Sequence, residues 1–170
     1  MLKKILYALL ASLLIIQFIR PDKNETAGPF NNNIEKIYPM NAMVKTALHR
    51  ACYDCHSNNT KYPWYAEIQP VRWWLQHHVD EGKEHLNFHE MAAYSPDKLD
   101  HKFEEMQEAV NEEWMPLTSY KFVHKEAVLT NEEKAAINEW ITQSRKGNQL
   151  AQSSQSKENE HVHDHHESVH

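Results

Sequence analysis

The sequence predicts an all-α domain of about four helices with an appendage at each end. Three observations carry this. Only three glycines, Gly28, Gly82 and Gly147, occur in 170 residues, too few for a turn-rich sheet or a phosphate loop. Apolar residues recur at helical spacing in four segments, bounded by recognisable start and stop signals. No stretch of useful length alternates as a strand would, and no internal repeat is present.

The first element is N-terminal. Lys3 and Lys4 precede an apolar run from Ile5 to Ile19, broken only by Ser12 and Gln17. As a helix this run spans about 22 Å, short of the roughly 30 Å hydrocarbon core, and Leu2 and the lysine stems lengthen it. The run exits through Phe18-Ile19-Arg20-Pro21, without the small-x-small site of a cleaved signal peptide. Residues 1–20 are therefore expected to be a membrane anchor, with a removed signal as the alternative. Residues 21–37, polar and carrying two prolines and three consecutive asparagines, are expected to be a linker.

The folded part is expected over residues 38–146. Val44, Leu48, Ala51 and Cys55 share helical spacing from Asn41 onward. A second helix starts at Pro70, carries Val71, Trp74, Leu75 and His78 or Val79 on one face, and stops near Gly82. A third opens with Ser95-Pro96-Asp97 and repeats apolar residues at Leu99, Phe103, Met106 and Val110. The last begins with the capping box Thr130-Asn131-Glu132-Glu133 and runs through Ile137, Trp140 and Ile141 to Gly147. Residues 147–170, rich in Gln, Ser and then His, cannot bury a core and are expected to be disordered.

A hydrophobic content of 41% and five tryptophans suffice for one modest core. The formal charge of −6 offers no basic stripe to neutralise phosphates and excludes a nucleic-acid binder.

Chemistry concentrates in Ala51-Cys52-Tyr53-Asp54-Cys55-His56-Ser57-Asn58, which holds both cysteines of the chain. Half of a zinc site would need two further ligands, such as His85 and His89, and would leave His56 without a role. A thioredoxin-like dithiol belongs at a helix N-terminus after a βαβ pattern, whereas this motif falls late in a helix. C-x-x-C-H read as c-type haem attachment uses all three residues. Two thiols three positions apart can reach the two vinyl groups on one edge of the macrocycle, and the adjacent imidazole can reach iron.

The longer segments CYDCHSNNTKYPWYAEIQP, HVDEGKEHLNF, MPLTSY and LTNEEKAAINEW resemble a bacterial haem-binding domain family built around C-Y-D-C-H-S-N. The resemblance covers about residues 38–145. It implies a small helical domain similar to soluble cytochromes c, holding one covalent haem c through Cys52 and Cys55. His56 is then the proximal iron ligand.

For the sixth iron position Met115, followed by Pro116 in the loop before the last helix, is the first candidate, and His124 is the alternative, with His78 after it. The other reading of Met115 is plain core packing. Met43 and Met106 read as core, and His77, His85, His89 and His101 as exposed. Tyr62, Trp64, Tyr65, Trp73, Trp74 and Trp114 are expected at the wall of the haem pocket.

A Met/His pair saturates the iron and suits electron transfer, so the expected function is a one-electron carrier rather than an enzyme. An open sixth position would instead allow a peroxidase or a ligand sensor. A third reading is a metal-binding accessory protein acting through His161, His163, His165, His166 and His170. The expected location is the bacterial cell envelope, with the haem domain on the periplasmic side. Asp97–Glu113 carries seven carboxylates against Lys98 and Lys102. This acidity is either an ordinary solvated face or a dock for a basic redox protein.

Overall fold

The computed structural model describes residues 1–167, with side chains as far as residue 154. Six α-helices occur among them: α1 (Leu2–Ile16), α2 (Ala42–Ala51), α3 (Val71–His85), α4 (Pro96–Asn111), α5 (Thr118–Val123) and α6 (Asn131–Glu167). Short 3₁₀ turns at Ile34–Lys36, Trp64–Glu67, Met91–Ala93 and Lys125–Ala127 join them. No strand is found in the described residues; one isolated antiparallel bridge pairs Glu25 with Asn59.

The core lies where α4 and α2 pack against α6. Leu99, Phe103, Met106 and Val110 of α4 meet Ile137, Trp140 and Ile141 of α6 and Val44, Ala47 and Leu48 of α2. Local sequence sets where α2, α4 and α6 start. Asn41 Oδ1 accepts the Val44 N–H (2.9 Å), Ser95 Oγ accepts that of Lys98 (3.4 Å), and Thr130 and Glu133 cap each other reciprocally. Polar ties then set the helices against one another. Arg50, at the end of α2, reaches both oxygens of Glu133 at 2.9 and 2.8 Å, and Arg145 of α6 holds Asp100 of α4 at 3.0 and 2.8 Å.

Several expectations need correction. Helix α3 continues through Gly82 to His85, and its buried face carries Arg72, Leu75, Gln76 and Val79 while Trp73 and Trp74 face outward. Hydropathy misses this because the polar members of the face are satisfied from outside the helix. Arg72 donates to the Pro21 carbonyl (2.8 Å), and Gln76 accepts from Tyr62 (2.8 Å). Helix α5 lies inside the loop expected after α4.

Helix α6 does not stop at Gly147. Gly147 keeps a negative φ, and Asn148, buried one residue later, donates to the Pro96 carbonyl (2.8 Å), so tertiary contact carries the helix past a residue that weakens helices by about 1 kcal/mol. The backbone expected to be disordered is thus helical as far as Glu167. The side chains of His161, His163, His165 and His166, and all of His170, lie outside the described residues.

The expected linker is packed. Asn24 is buried, donating to the Ser57 carbonyl (2.8 Å) and Thr60 Oγ1 (2.9 Å) while Lys83 Nζ donates to its Oδ1 (2.6 Å). Ile34 is wholly buried in the core. Helix α1 buries no residue, and no helix of the described residues is long and apolar enough to cross a membrane. A spanning anchor therefore finds no support.

Asn24→Ala would strip partners from Thr60, Lys83 and a buried carbonyl. It should lower stability by about 1–3 kcal/mol in urea unfolding, whereas a true linker would tolerate it within experimental error.

Candidate functional site

Helix α2 ends at Ala51, with Cys52 as its C-cap, so the cysteine–histidine motif occupies the turn that follows. The Cys55 and His56 N–H groups both donate to the Cys52 carbonyl, at 3.2 and 2.9 Å. This turn is seated on α3 at Gly82. A Cβ at Gly82 would stand 2.7 Å from the Cys55 carbonyl oxygen and 3.1 Å from Cys55 Cβ, so only glycine admits the approach. That contact is the physical reason for a glycine inside α3, where the sequence suggested a helix stop.

His56 is oriented from behind. Its Nδ1 lies 3.0 Å from the Leu86 carbonyl, which can only accept, so Nδ1 carries the proton and Nε2 is left with its lone pair. Burial lowers the imidazole pKa, favouring the neutral form that ligates a metal. The Leu86 carbonyl is itself held in register. Phe88 N–H donates to the His56 carbonyl (2.9 Å), Asn87 Nδ2 to Asn58 Oδ1 (2.7 Å), and Asn58 Nδ2 to Glu90 (2.8 Å). His89, expected to be exposed, is buried in this clamp. Its Nδ1 accepts the Asn58 N–H (3.2 Å), and its ring stacks on Phe30 at 3.6 Å.

In front of the motif opens a cavity of about 630 Å³, within the roughly 300–1,000 Å³ of ligand and cofactor sites. Its apolar wall comes from α2 (Leu48, Ala51), α4 (Met106, Ala109, Val110), Pro116, Leu117 and Leu129, with Phe88, Trp114 and Tyr120 as its aromatic members. Cys52, Cys55, His56 and Met115 all line it. Met115 arrives there because α4 ends in a left-handed residue, Glu113 (φ 59°), whose carboxylate pairs with Lys134 and whose carbonyl accepts from Lys121 (3.2 Å). The chain then folds back, Met115 N–H donating to the Ala109 carbonyl (3.3 Å), and the Met115–Pro116 peptide is cis.

Other expected residues lie elsewhere. Tyr62, Trp64, Tyr65 and Trp73–Trp74 are not among the cavity-lining residues. Tyr62 is engaged by Asn24 N–H and Gln76, and Trp64 is exposed. His124 is also outside the lining, with Nε2 2.7 Å from the Tyr65 hydroxyl and Nδ1 3.1 Å from Glu126. Met43 is half exposed, whereas Met106 is buried as expected. Phe88, Tyr120 and Leu129 escaped notice in the sequence because nothing local distinguishes a wall residue from core.

The two thiols are unpaired, and burial pushes Cys52 up to about 12, helped by Cys55, and Cys55 up to about 11, helped by Asp54. A redox dithiol needs the opposite shift. No group of three or more His, Cys, Asp or Glu able to hold a metal ion occurs among the described residues, so the zinc reading finds no ligand set there.

What remains is a large apolar cavity with one preset imidazole and two protonated thiols on its wall. A family profile described as the haem-binding domain matches residues 11–143. The chain belongs to the haem-binding domain family. No curated protein and no solved structure matches it. The chain's own donor set fits haem: an apolar slot for the macrocycle, an imidazole nitrogen for iron, and thiols at the slot's edge.

Gly82→Ala in this haem-binding domain should force the motif turn off α3. We expect a loss of about 1–3 kcal/mol in stability and a reduced haem absorbance per polypeptide; unchanged haem content would show that the close approach does not govern the site.

Proposed function

We propose that the protein is a c-type haem protein holding one haem by thioethers from Cys52 and Cys55, with His56 and Met115 as axial ligands, and that it carries single electrons. The observation that carries this reading is the placement of both thiols, the preset His56 and Met115 on one cavity. Haem supplies a one-electron couple at its iron. The protein residues bind and orient it, exclude water from its faces and set the ligand field.

The choice of Met115 rests on which wall each rival belongs to. His78 and His85 also line the cavity, but they flank Gly82 on α3, the surface already seated against Cys55 and His56. Met115 comes from a separate segment beyond α4. A saturated Met/His iron leaves no position for peroxide or oxygen, which favours a carrier over the peroxidase or sensor alternative.

Thioether attachment is made outside the cytoplasm, so this reading places the domain in the cell envelope. The exposed apolar α1 is then its membrane tether, buried in lipid rather than in protein. Metal binding by the histidine tail is a weaker alternative, resting on composition alone.

Haem should remain on the polypeptide through denaturation and acidified organic extraction, and Cys52→Ser with Cys55→Ser should release it. Met115→Ala should lower the reduction potential and admit carbon monoxide or cyanide. An unchanged potential and spectrum in Met115→Ala, with loss of both in His78→Ala, would transfer the sixth position to His78.

The redox partner is proposed to be basic, although the acidic face is smaller than the sequence implied. Asp100 and Glu104 are drawn to Arg145, Glu105 to Lys102 and Glu113 to Lys134. Among the described residues Glu108 and Glu112 have no ion-pair partner, and Glu108 lines the cavity. Electron exchange with a small basic cytochrome should slow as salt rises, since screening shortens from about 10 Å at 0.1 M to about 3 Å at 1 M. Glu108→Lys/Glu112→Lys should slow it at low salt; a rate indifferent to both changes would leave these residues as solvated surface.

A further inference from the structure

Helix α1 exposes large apolar side chains around its whole circumference, Leu6, Leu9, Leu10, Leu13 and Leu14 among them. Its C-terminal end, however, is fastened to the domain. Gln17 Nε2 donates to the Gln69 carbonyl (3.2 Å) while Gln69 N–H donates to Gln17 Oε1 (3.0 Å). Gln69 Nε2 and the Trp73 indole N–H both donate to the Ile19 carbonyl, at 2.8 and 2.9 Å. Arg20 reaches Glu67 at 3.0 Å.

The surface around this attachment is aromatic. Trp73 is 37% exposed, Trp74 48%, Trp64 77% and Ile68 47%. Cations gather beside it: Arg20, Lys23 and Arg72 converge on Glu67, Glu25 lies 3.8 Å from Lys23, and exposed Asp22 precedes Lys23 in the chain.

We propose that Trp64, Ile68, Trp73 and Trp74 form a docking face that lies among phospholipid headgroups when α1 is in the bilayer. This rests on the membrane-tether reading above. A 15-residue helix is about 22 Å long, so with α1 buried in lipid whatever is hydrogen-bonded to its C-terminal end lies at headgroup level. Indole rings favour that depth, with an apolar body and a polar N–H. Arg20 and Lys23, both partly exposed, are placed to meet anionic phosphates. A domain on a loose linker would have no preferred face, whereas residues 17–21 are hydrogen-bonded to the domain. The Trp74 ring meets His78 edge-on at 4.5 Å, and His78 lines the haem cavity. Docking therefore brings the cavity rim beside the membrane and fixes the haem's angle to it.

The test uses the full-length holoprotein with vesicles of phosphatidylcholine and phosphatidylglycerol in equal amounts. Hydroxyl-radical oxidation, read by mass spectrometry, should fall several-fold at Trp73 and Trp74 on vesicles and stay unchanged at exposed Phe122. In oriented bilayers the haem Soret band should be dichroic, and Trp73→Ser/Trp74→Ser should lose the dichroism while still sedimenting with vesicles. A wild type that does not sediment overturns the tether and the docking face together. Sedimentation with unprotected tryptophans overturns the face alone, and protection that grows with protein concentration without vesicles assigns it to a second copy of the chain.

Discussion

The approach of the motif turn to α3 is the constraint on which the rest of the site depends. Gly82 lets the Cys55 carbonyl come within the space a Cβ would occupy. The helix then ends three residues later, so its C-cap, Leu86, offers a carbonyl to His56. One close contact thus sets both the position of the thiols and the tautomer of the imidazole. The Asn58–Asn87–Glu90 bonds make this arrangement stiff. Every member is hydrogen-bonded, which is the condition under which a polar network orders a site instead of weakening it.

The same logic explains why polar residues are packed against the motif. Asn24, Ser57, Thr60, Asn87 and His89 are buried, yet each has partners among the described residues. They tie the segment after α1 and the segment after α3 to the motif turn, leaving the cavity side to apolar atoms. The haem-binding domain therefore has a polar back that holds His56 and an apolar front that opens on the cavity. Burial without partners would cost several kcal/mol per group, so this division could not survive half-built.

Helix α6 acts as the common support. It packs on α4 and α2, supplies Arg145 and Lys134 to the acidic α4, and starts where Glu133 grips Arg50 at the end of α2. Those cations neutralise much of the charge that α4 shows in isolation. Lys134 also holds Glu113, whose left-handed backbone turns Trp114 and Met115 toward the cavity. Electrostatics and the delivery of Met115 are thereby coupled through one residue.

The amino-acid sequence by itself determined the helical class, the helical spacing of α2, the capped starts of α4 and α6, and the grouping of Cys52, Cys55 and His56, because these depend on neighbours within a turn or two. Spacing also singled out Met115, through the proline that follows it. Tertiary structure alone decided the rest. Residues 21–37 look like a linker until Asn24 and Ile34 find partners far along the chain. Helix α6 passes Gly147 because Asn148 bonds to Pro96 on another helix. His89 sits among polar residues in sequence and is buried in space, while Trp73 and Trp74, expected at the pocket wall, are exposed. Local pattern reports what a helix could bury; which face it does bury depends on the segments that fold across it.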